Sequence, residues 1–129
     1  TGGMFKKRWG RIGDSPVIGA GTYADNNSCA VSCTGHGEYF IRHAVAFDVC
    51  ARYKYLKESV EKAADYIIHT ELNTNAGNGG LIAVDKLGNI AMPYNSGGMF
   101  RGFLYKEKGS PEIKKGCGIG KKIVVVGEK

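Results

Sequence analysis

The pattern of apolar and polar positions in the first half of the chain predicts one strand followed by two helices. Residues 29–33 form a short apolar run typical of a buried strand, and Thr34-Gly35-His36-Gly37 predicts a tight turn into a helix over about residues 38–55. Ser59 is the expected N-cap of the second helix. The apolar stripe of that helix consists of Val60, Ala63, Ala64, Ile67 and Ile68.

The second half of the chain alternates in the manner of strands. Residues 81–85 and 90–92 flank a glycine-containing turn, which predicts a hairpin, and residues 99–105 and 122–127 predict two further strands. Residues 1–27 are broken repeatedly by glycine and predict a loop-rich segment. The order of elements favours an α+β fold, in which helices cover an antiparallel sheet.

Length and composition agree with one globular domain, or one piece of one, and limit what the chain can be. Hydrophobic residues make up 43% of the 129 residues and charged residues 23%, which argues against intrinsic disorder. No apolar run reaches the ~18–20 residues of a membrane-spanning helix. The chain opens with Thr1 instead of methionine, and lysines follow at once. We therefore expect no signal peptide, and a start at a processing point, an engineered boundary or a truncation.

The formal net charge of +6 leaves nucleic acid, anionic membranes or small anionic substrates as possible partners. Much of the excess lies in the lysine-rich segment after residue 105, and no known nucleic-acid-binding motif accompanies it. We interpret this segment as a solvated tail, with a nucleic-acid surface as the alternative. Neither nucleic acid nor a membrane is the expected partner.

The four cysteines do not predict a disulfide framework. Cys29 and Cys33 lie on one face of the predicted strand but about 13 Å apart along it, beyond the reach of a disulfide. Cys50 falls in a helical pattern and Cys117 in a glycine-rich segment, and no spacing matches a zinc site. We expect reduced, buried thiols and a cytoplasmic location.

One glycine motif in the chain is misleading. Residues 19–24 match the glycine spacing of a dinucleotide-binding fingerprint, but Asp25-Asn26-Asn27-Ser28 follows where a helix would have to begin. We do not predict nucleotide binding from this match.

Two clusters and the first residue have side chains suited to catalysis or binding. Arg11 and Asp14 lie three residues apart between glycines, and such a pair suits a zwitterion, whose carboxylate binds the guanidinium and whose ammonium binds the aspartate. A loop salt bridge is the alternative. Thr34-Gly35-His36-Gly37 lies between a strand end and a helix start, where backbone N–H groups favour developing negative charge; a plain turn is the alternative. Thr1 places a hydroxyl beside a terminal amine.

Taken together, these motifs resemble the β-subunit of plant-type (isoaspartyl-peptidase) L-asparaginases, which are threonine N-terminal-nucleophile hydrolases. The resemblance covers about residues 1–105. The motifs that carry it are G-R-I-G-D-S-P (10–16), G-A-G-T-Y-A-D (19–25), A-V-S-C-T-G-H-G-E (30–38), G-G-L-I-A-V-D (79–85), G-N-I-A-M-P-Y-N (88–95) and G-M-F-R (98–101).

The resemblance implies a role for each matching residue. Arg11 resembles the residue that binds the substrate α-carboxylate, and Asp14 the residue that holds the α-amino group. Thr34, through its hydroxyl, and Gly35, through its N–H, resemble the oxyanion hole. The implied substrate-binding set is Arg11, Ile12, Gly13, Asp14, Thr34, Gly35, His36 and Gly37, and the implied catalytic set is Thr34, Gly35 and Thr1.

One family feature has no counterpart in this sequence. Members expose their nucleophile, by autoproteolysis, at the head of a T-V-G-x-V-A-L-D strand, which does not occur here. Thr1 aligns instead with a later threonine that lies beside the nucleophile and supports it. The resemblance therefore implies that this chain alone is inactive, and a non-catalytic fragment that keeps the substrate loops is the alternative function.

The resemblance also implies an architecture and a reaction. Residues 1–105 would be the β-subunit part of a four-layer αββα sandwich shared with an α-subunit of the same precursor, in an (αβ)2 assembly. Residues 106–129 would be a basic tail ending in a short strand. The reaction would be hydrolysis of the side-chain amide of asparagine or of isoaspartyl dipeptides through a threonine acyl-enzyme, with no metal or organic cofactor. Glycosylasparaginase activity is a further alternative.

Overall fold

The computed structural model describes residues 6–106, 109 and 113–119, and the backbone of residues 124–128. The chain divides into two compact units, Thr1–Asn95 and Ser96–Lys129. Within the described part of the chain, no helix has the length and apolar character needed to cross a membrane.

The first unit contains a four-stranded antiparallel sheet. Its strands lie in the order β1 (Thr22–Ala24), β2 (Cys29–Gly35), β3 (Gly79–Asp85) and β4 (Ile90–Ala91). The predicted strand at residues 29–33 and the predicted hairpin at 81–92 are confirmed. Strand β1 was not predicted, because its three residues follow the glycine-rich segment that ends at Gly21 and gain their order from pairing with β2.

The helical segments lie between β2 and β3. They are α1 (Gly37–Arg42), α2 (Val45–Ala51) with a π-helical extension at Arg52–Leu56, and α3 (Val60–Tyr66) with a π-helical extension at Ile67–Leu72. The predicted N-cap is confirmed, since the hydroxyl of Ser59 accepts a hydrogen bond of 3.3 Å from the N–H of Lys62.

The prediction of one continuous helix over residues 38–55 is wrong. The chain turns at Ala44, which adopts a left-handed conformation with φ 46°. The N–H groups of Ala46 and Phe47, in the first turn of α2, donate to the carbonyl oxygens of Ala20 and Gly19 at 3.0 and 2.9 Å. This tertiary contact satisfies donors that a continuous helix would satisfy internally.

The hydrophobic core lies between one face of the sheet and the helices. Val31, Cys33, Leu81 and Ala83 point into it and pack in one cluster with helical side chains such as Phe40. The opposite face is open, and Ile82 and Val84 there keep 48% and 44% of their surface exposed. Antiparallel sheets commonly pack one face on the core and leave the other to solvent, but the solvent face usually carries polar side chains.

The expectation that every cysteine is a reduced thiol is wrong for one pair. Cys29 in β2 and Cys50 in α2 are disulfide-bonded, and their Cα atoms lie 5.5 Å apart. The prediction compared positions along the strand, whereas the bond depends on the packing of α2 against β2. Cys33 and Cys117 are free thiols, and burial raises the pKa of Cys33.

The second unit contains a three-stranded antiparallel sheet in the order β5 (Arg101–Lys106), β6 (Ile113–Gly118) and β7 (Val124–Glu128). The predicted strands at 99–105 and 122–127 are confirmed, and β6 was not predicted. Both units agree with the expected mixture of helices and antiparallel sheets.

Candidate active site

The loop that carries Asp14 packs against two glycines from different segments. Asp14 is 3% exposed. A Cβ atom added to Gly37 would lie 2.7 Å from its Oδ1, and one added to Gly21 would lie 2.6 Å from its Oδ2. The N–H of Gly21 also donates to the carbonyl oxygen of Asp14 at 3.1 Å. Only residues without a side chain leave room for the carboxylate here.

The carboxylate of Asp14 is buried without full hydrogen bonding. Its Oδ2 has no hydrogen-bond partner among the described residues. Burial raises the pKa of Asp14, and a bond from its own backbone N–H and the charge of Arg11 oppose that shift. A buried carboxylate oxygen in this state can accept a hydrogen bond from a cationic ligand such as an ammonium group.

Arg11 pairs with a residue that the sequence analysis did not single out. Its Nη2 donates to Oε1 of Glu38 at 2.6 Å, and the Arg11 side chain is only 15% exposed. The loop salt bridge considered as an alternative, between Arg11 and Asp14, is therefore not the pairing found. Hydrogen bonds from its own N–H and from Arg11 lower the pKa of Glu38. A single ion pair to Nη2 leaves guanidinium donors for a second carboxylate.

The loop from Thr34 to Gly37 joins the end of β2 to the start of α1. Thr34 and Gly35 are half-buried, and His36 is exposed. Gly35 has φ +144°, and a Cβ there would lie 2.6 Å from the Cα of Gly79. The N–H of His36 donates to the carbonyl oxygen of Asn78 at 2.9 Å. The backbone of this loop is held from one side by residues 78 and 79.

The structure brings the two internal sequence clusters together. Gly37 contacts Asp14 and Gly13, and Glu38, which follows Gly37, bonds Arg11. Ile12 belongs to the same loop but is 76% exposed. Thr1 lies outside the described residues. The roles assigned to these residues stay predictions.

Three residues of this region were missed from the sequence. They are Gly21, Glu38 and Asn95, and each lies inside a motif quoted above for its resemblance. Glu38 carried a usable signal, since an acidic residue in the first turn of a helix adjoins the substrate loop. Among the described residues, no group of three His, Cys, Asp or Glu side chains is placed to hold a metal ion.

Comparison with known proteins agrees with the motifs. Residues 1–113 match the family described as asparaginase. The chain is 51% identical over 105 residues to an isoaspartyl peptidase of Salmonella typhimurium, covering 81% of this chain and 34% of the relative. It is 46% identical over 119 residues to an isoaspartyl peptidase of Escherichia coli, covering 84% and 37%.

A plant relative is equally similar. The chain is 51% identical over 102 residues to a probable isoaspartyl peptidase/L-asparaginase 2 of Arabidopsis thaliana, covering 79% of this chain and 30% of the relative. The chain thus spans about a third of the length of the curated relatives it matches. The family match covers well over half of the chain, and the motifs around Arg11, Asp14 and Thr34 lie inside it. The chain belongs to the asparaginase family.

Proposed function

We propose that this chain supplies the substrate-binding and oxyanion part of a hydrolase that cleaves the side-chain amide of L-asparagine and isoaspartyl peptide bonds. The observation that carries the proposal is the Asp14 carboxylate, which is buried beside the Arg11 guanidinium and whose Oδ2 has no hydrogen-bond partner among the described residues. The relatives named isoaspartyl peptidase and L-asparaginase support this substrate class over glycosylated asparagine.

The aspartyl half of the substrate is a zwitterion, and both of its charges have a complementary group here. Asp14 accepts hydrogen bonds from the α-ammonium, which restores the charged form that burial disfavours. Arg11 binds the α-carboxylate with the guanidinium donors that Glu38 does not use. These contacts fix the substrate by its backbone end and leave the side-chain amide facing the Thr34–Gly37 loop.

The chemical step is acyl transfer to a threonine hydroxyl. The threonine oxygen bonds to the amide carbon, the hydroxyl proton is transferred to the amide nitrogen, and the C–N bond breaks so that the nitrogen leaves as ammonia or as the amine of the released amino acid. Thr34, through its hydroxyl, and Gly35, through its N–H, stabilise the oxyanion that forms in between. Water then cleaves the ester and releases aspartate. This chemistry requires neither a metal ion nor an organic cofactor.

The nucleophile belongs to a part of the precursor outside these 129 residues. The family's T-V-G strand is absent from the sequence, and Thr1 takes the supporting position beside the nucleophile. We therefore expect the 129-residue chain alone to be inactive, as a subunit piece that keeps its substrate loops. Autoproteolysis of the full-length precursor would generate the active terminus.

The remaining precursor residues would complete the fold. A second sheet packed on the open face around Ile82 and Val84 would give the four-layer αββα sandwich, with an α-subunit as partner and an (αβ)2 assembly. Relatives about three times as long as the matched region support this. The division at residue 105 between the asparaginase-like region and the basic tail is part of the same proposal.

The cytoplasmic location stays a prediction. The Cys29–Cys50 bond weighs against it, because cytosolic thiols are kept reduced. Counting free thiols in the protein purified from its native cells would decide whether the bond exists there.

The test of the proposed function is Arg11→Leu in the processed full-length parent protein, with L-asparagine and a β-aspartyl dipeptide as substrates. Losing a charge-assisted bond to the carboxylate corresponds to about 2–4 kcal/mol, so we expect kcat/KM to fall roughly 30- to 1,000-fold. Arg42→Leu, at the exposed end of α1, is the matched control and should keep its activity. An unchanged kcat/KM for Arg11→Leu would remove Arg11 from the substrate site.

A further inference from the structure

The side chain of Asn95 joins three backbone segments of the first unit. Its Oδ1 accepts from the N–H of Gly79 at 2.8 Å, and its Nδ2 donates to the carbonyl oxygens of Gly77 and Ile68 at 2.9 and 3.2 Å. The N–H of Asn95 donates to the carbonyl oxygen of Gly79 at 2.9 Å. Four hydrogen bonds thus connect Asn95 to the π-helical extension of α3, to the loop before β3 and to the first residue of β3.

Residues 77–79, which Asn95 holds, pack directly against the Thr34–Gly37 loop. The carbonyl oxygen of Asn78, between Gly77 and Gly79, accepts the N–H of His36 at 2.9 Å. Gly79 lies opposite Gly35 in the β2–β3 ladder. A Cβ on Gly79 would lie 2.9 Å from the Cα of Gly35 and 2.8 Å from Cζ of Phe40, so the two backbones are in direct contact.

A short chain of contacts therefore runs from the Asn95 amide to the Gly35 N–H. No side chain lies between the two facing glycines, so a displacement of one backbone cannot be absorbed by a side-chain rotation. A shift of residues 77–79 must be transmitted to Gly35 and His36. Displacements of about 1 Å in a catalytic group can lower a rate by roughly 10²-fold.

We propose that Asn95 is a positioning residue for the oxyanion loop, acting through residues 77–79 to fix the Gly35 N–H at the reacting carbonyl. Asn95 has no place in the substrate-binding set derived from the sequence. Its amide suits the task because one group must accept from an N–H and donate to two carbonyl oxygens. The inference rests on the proposed hydrolase function.

The proposal predicts a kinetic signature that a general loss of stability does not produce. Arg11 and Asp14 bind the substrate in its ground state, and the N–H groups of Val17 and Gly21 hold the backbone of Asp14 independently of residues 77–79, so KM should change less than kcat. The oxyanion exists only in the transition state, so the defect should appear in kcat.

The experiment uses the processed full-length parent protein and three variants. In Asn95→Ala we expect kcat for L-asparagine to fall on the order of 10²-fold, with KM within about threefold of wild type. Asn95→Asp keeps an acceptor for the Gly79 N–H but sets a carboxylate oxygen against the carbonyl oxygens of Gly77 and Ile68, so its kcat should fall at least as far as that of Asn95→Ala. Asn89→Ala is the matched control, since the Asn89 amide braces only the β3–β4 turn through Asp85.

Amide hydrogen exchange provides a readout that does not depend on activity. The Gly79 N–H should exchange faster in Asn95→Ala than in wild type or Asn89→Ala. Unchanged exchange at Gly79 would overturn the proposed connection. Faster exchange with a normal kcat would overturn the positioning role while leaving the hydrolase function intact. An inactive wild-type parent would instead contradict the proposed function, and the positioning role with it. If Asn95→Ala does not fold, the same two measurements on Asn95→Ser decide, because its shorter side chain also withdraws the acceptor from the Gly79 N–H.

Discussion

A buried aspartate lies near each end of the β2–β3 ladder, and the two carboxylates differ in their hydrogen bonding. At the turn end, Asp85 accepts from the N–H groups of Leu87 and Asn89 at 2.8 and 2.9 Å through Oδ1, and from the Asn89 amide at 2.8 Å through Oδ2. At the loop end, Asp14 is buried with an Oδ2 that lacks a partner among the described residues.

This difference is the one expected between a structural carboxylate and the ligand-binding carboxylate proposed for Asp14. Asp85 uses both oxygens to close a hairpin, so no acceptor is left for another molecule. Asp14 is held in place by packing against Gly21 and Gly37, and its Oδ2 is buried with no partner among the described residues, which is the state expected if a substrate ammonium supplies one. An incompletely satisfied buried group lowers stability, and such groups are concentrated at functional sites.

The largest expected effect is at the loop end of β2. Thr34→Val in the processed full-length parent protein should lower kcat by roughly 10²–10³, the usual effect of removing one oxyanion donor, with KM nearly unchanged. Thr22→Val, on the exposed edge strand β1 of the same sheet, is the matched control. A processed Thr34→Val protein with a normal kcat would show that the N–H of Gly35 and its neighbours suffice.

The next effect distinguishes the two aspartates through activity. Asp14→Asn removes the charge that binds the substrate ammonium, a loss of about 2–3 kcal/mol or roughly 30- to 200-fold in kcat/KM. Steady-state kinetics of the processed variant with L-asparagine measures it. Activity equal to wild type would place the ammonium elsewhere.

Substitution of the two aspartates by asparagine should have the opposite ranking for stability, with the larger loss at Asp85. Asp85→Asn replaces the Oδ2 acceptor of the hairpin and should lower the free energy of unfolding by about 1–2 kcal/mol, while folded protein keeps its kcat. Asp14→Asn should leave stability unchanged or raise it by about 1 kcal/mol, because an uncompensated buried charge is removed. Urea unfolding of both variants at neutral pH gives the comparison. A larger loss for Asp14→Asn than for Asp85→Asn would contradict it.

The smallest effect is a dependence on pH. Burial raises the pKa of Asp14 above its ordinary value of 3.8. The folded protein therefore holds this proton more tightly than the unfolded chain, and ionisation as the pH rises through this range reduces stability. Binding needs the ionised form, so the affinity for L-aspartate should weaken by about tenfold per pH unit below the raised pKa. Calorimetric titration should show the weakening begin above pH 3.8, and Asp14→Asn should abolish it.

Elements with a local signal were predicted well from the sequence. The alternation of residues 29–33 and the Ser59 cap depend on neighbouring residues only, and both were found. The break at Ala44 could not be predicted, because the carbonyl oxygens that replace the helical partners of Ala46 and Phe47 come from Gly19 and Ala20. Strand β1 was missed for a similar reason, since all three of its residues pair with β2, a contact that no local pattern reports.

The site residues divide in the same way, into those with a local sequence signal and those whose contacts form only on folding. Arg11 and Asp14 were identified by the chemistry of their side chains at a short spacing in one loop. Glu38 and Asn95 were not, because their significance depends on which backbone or side chain they meet after folding. Asn95 bonds residues 16 to 27 positions away along the chain, and no local pattern reports such contacts.

The disulfide between Cys29 and Cys50 has a topological consequence. The 21-residue separation of its partners encloses the whole of Thr34–Gly37, together with Glu38, the ion-pair partner of Arg11. A protease that cut the exposed backbone near His36 would therefore leave two pieces that remain covalently joined. The two cut ends would stay attached to the sheet and to α2. Cleavage there would therefore break the loop without separating the two parts of the chain.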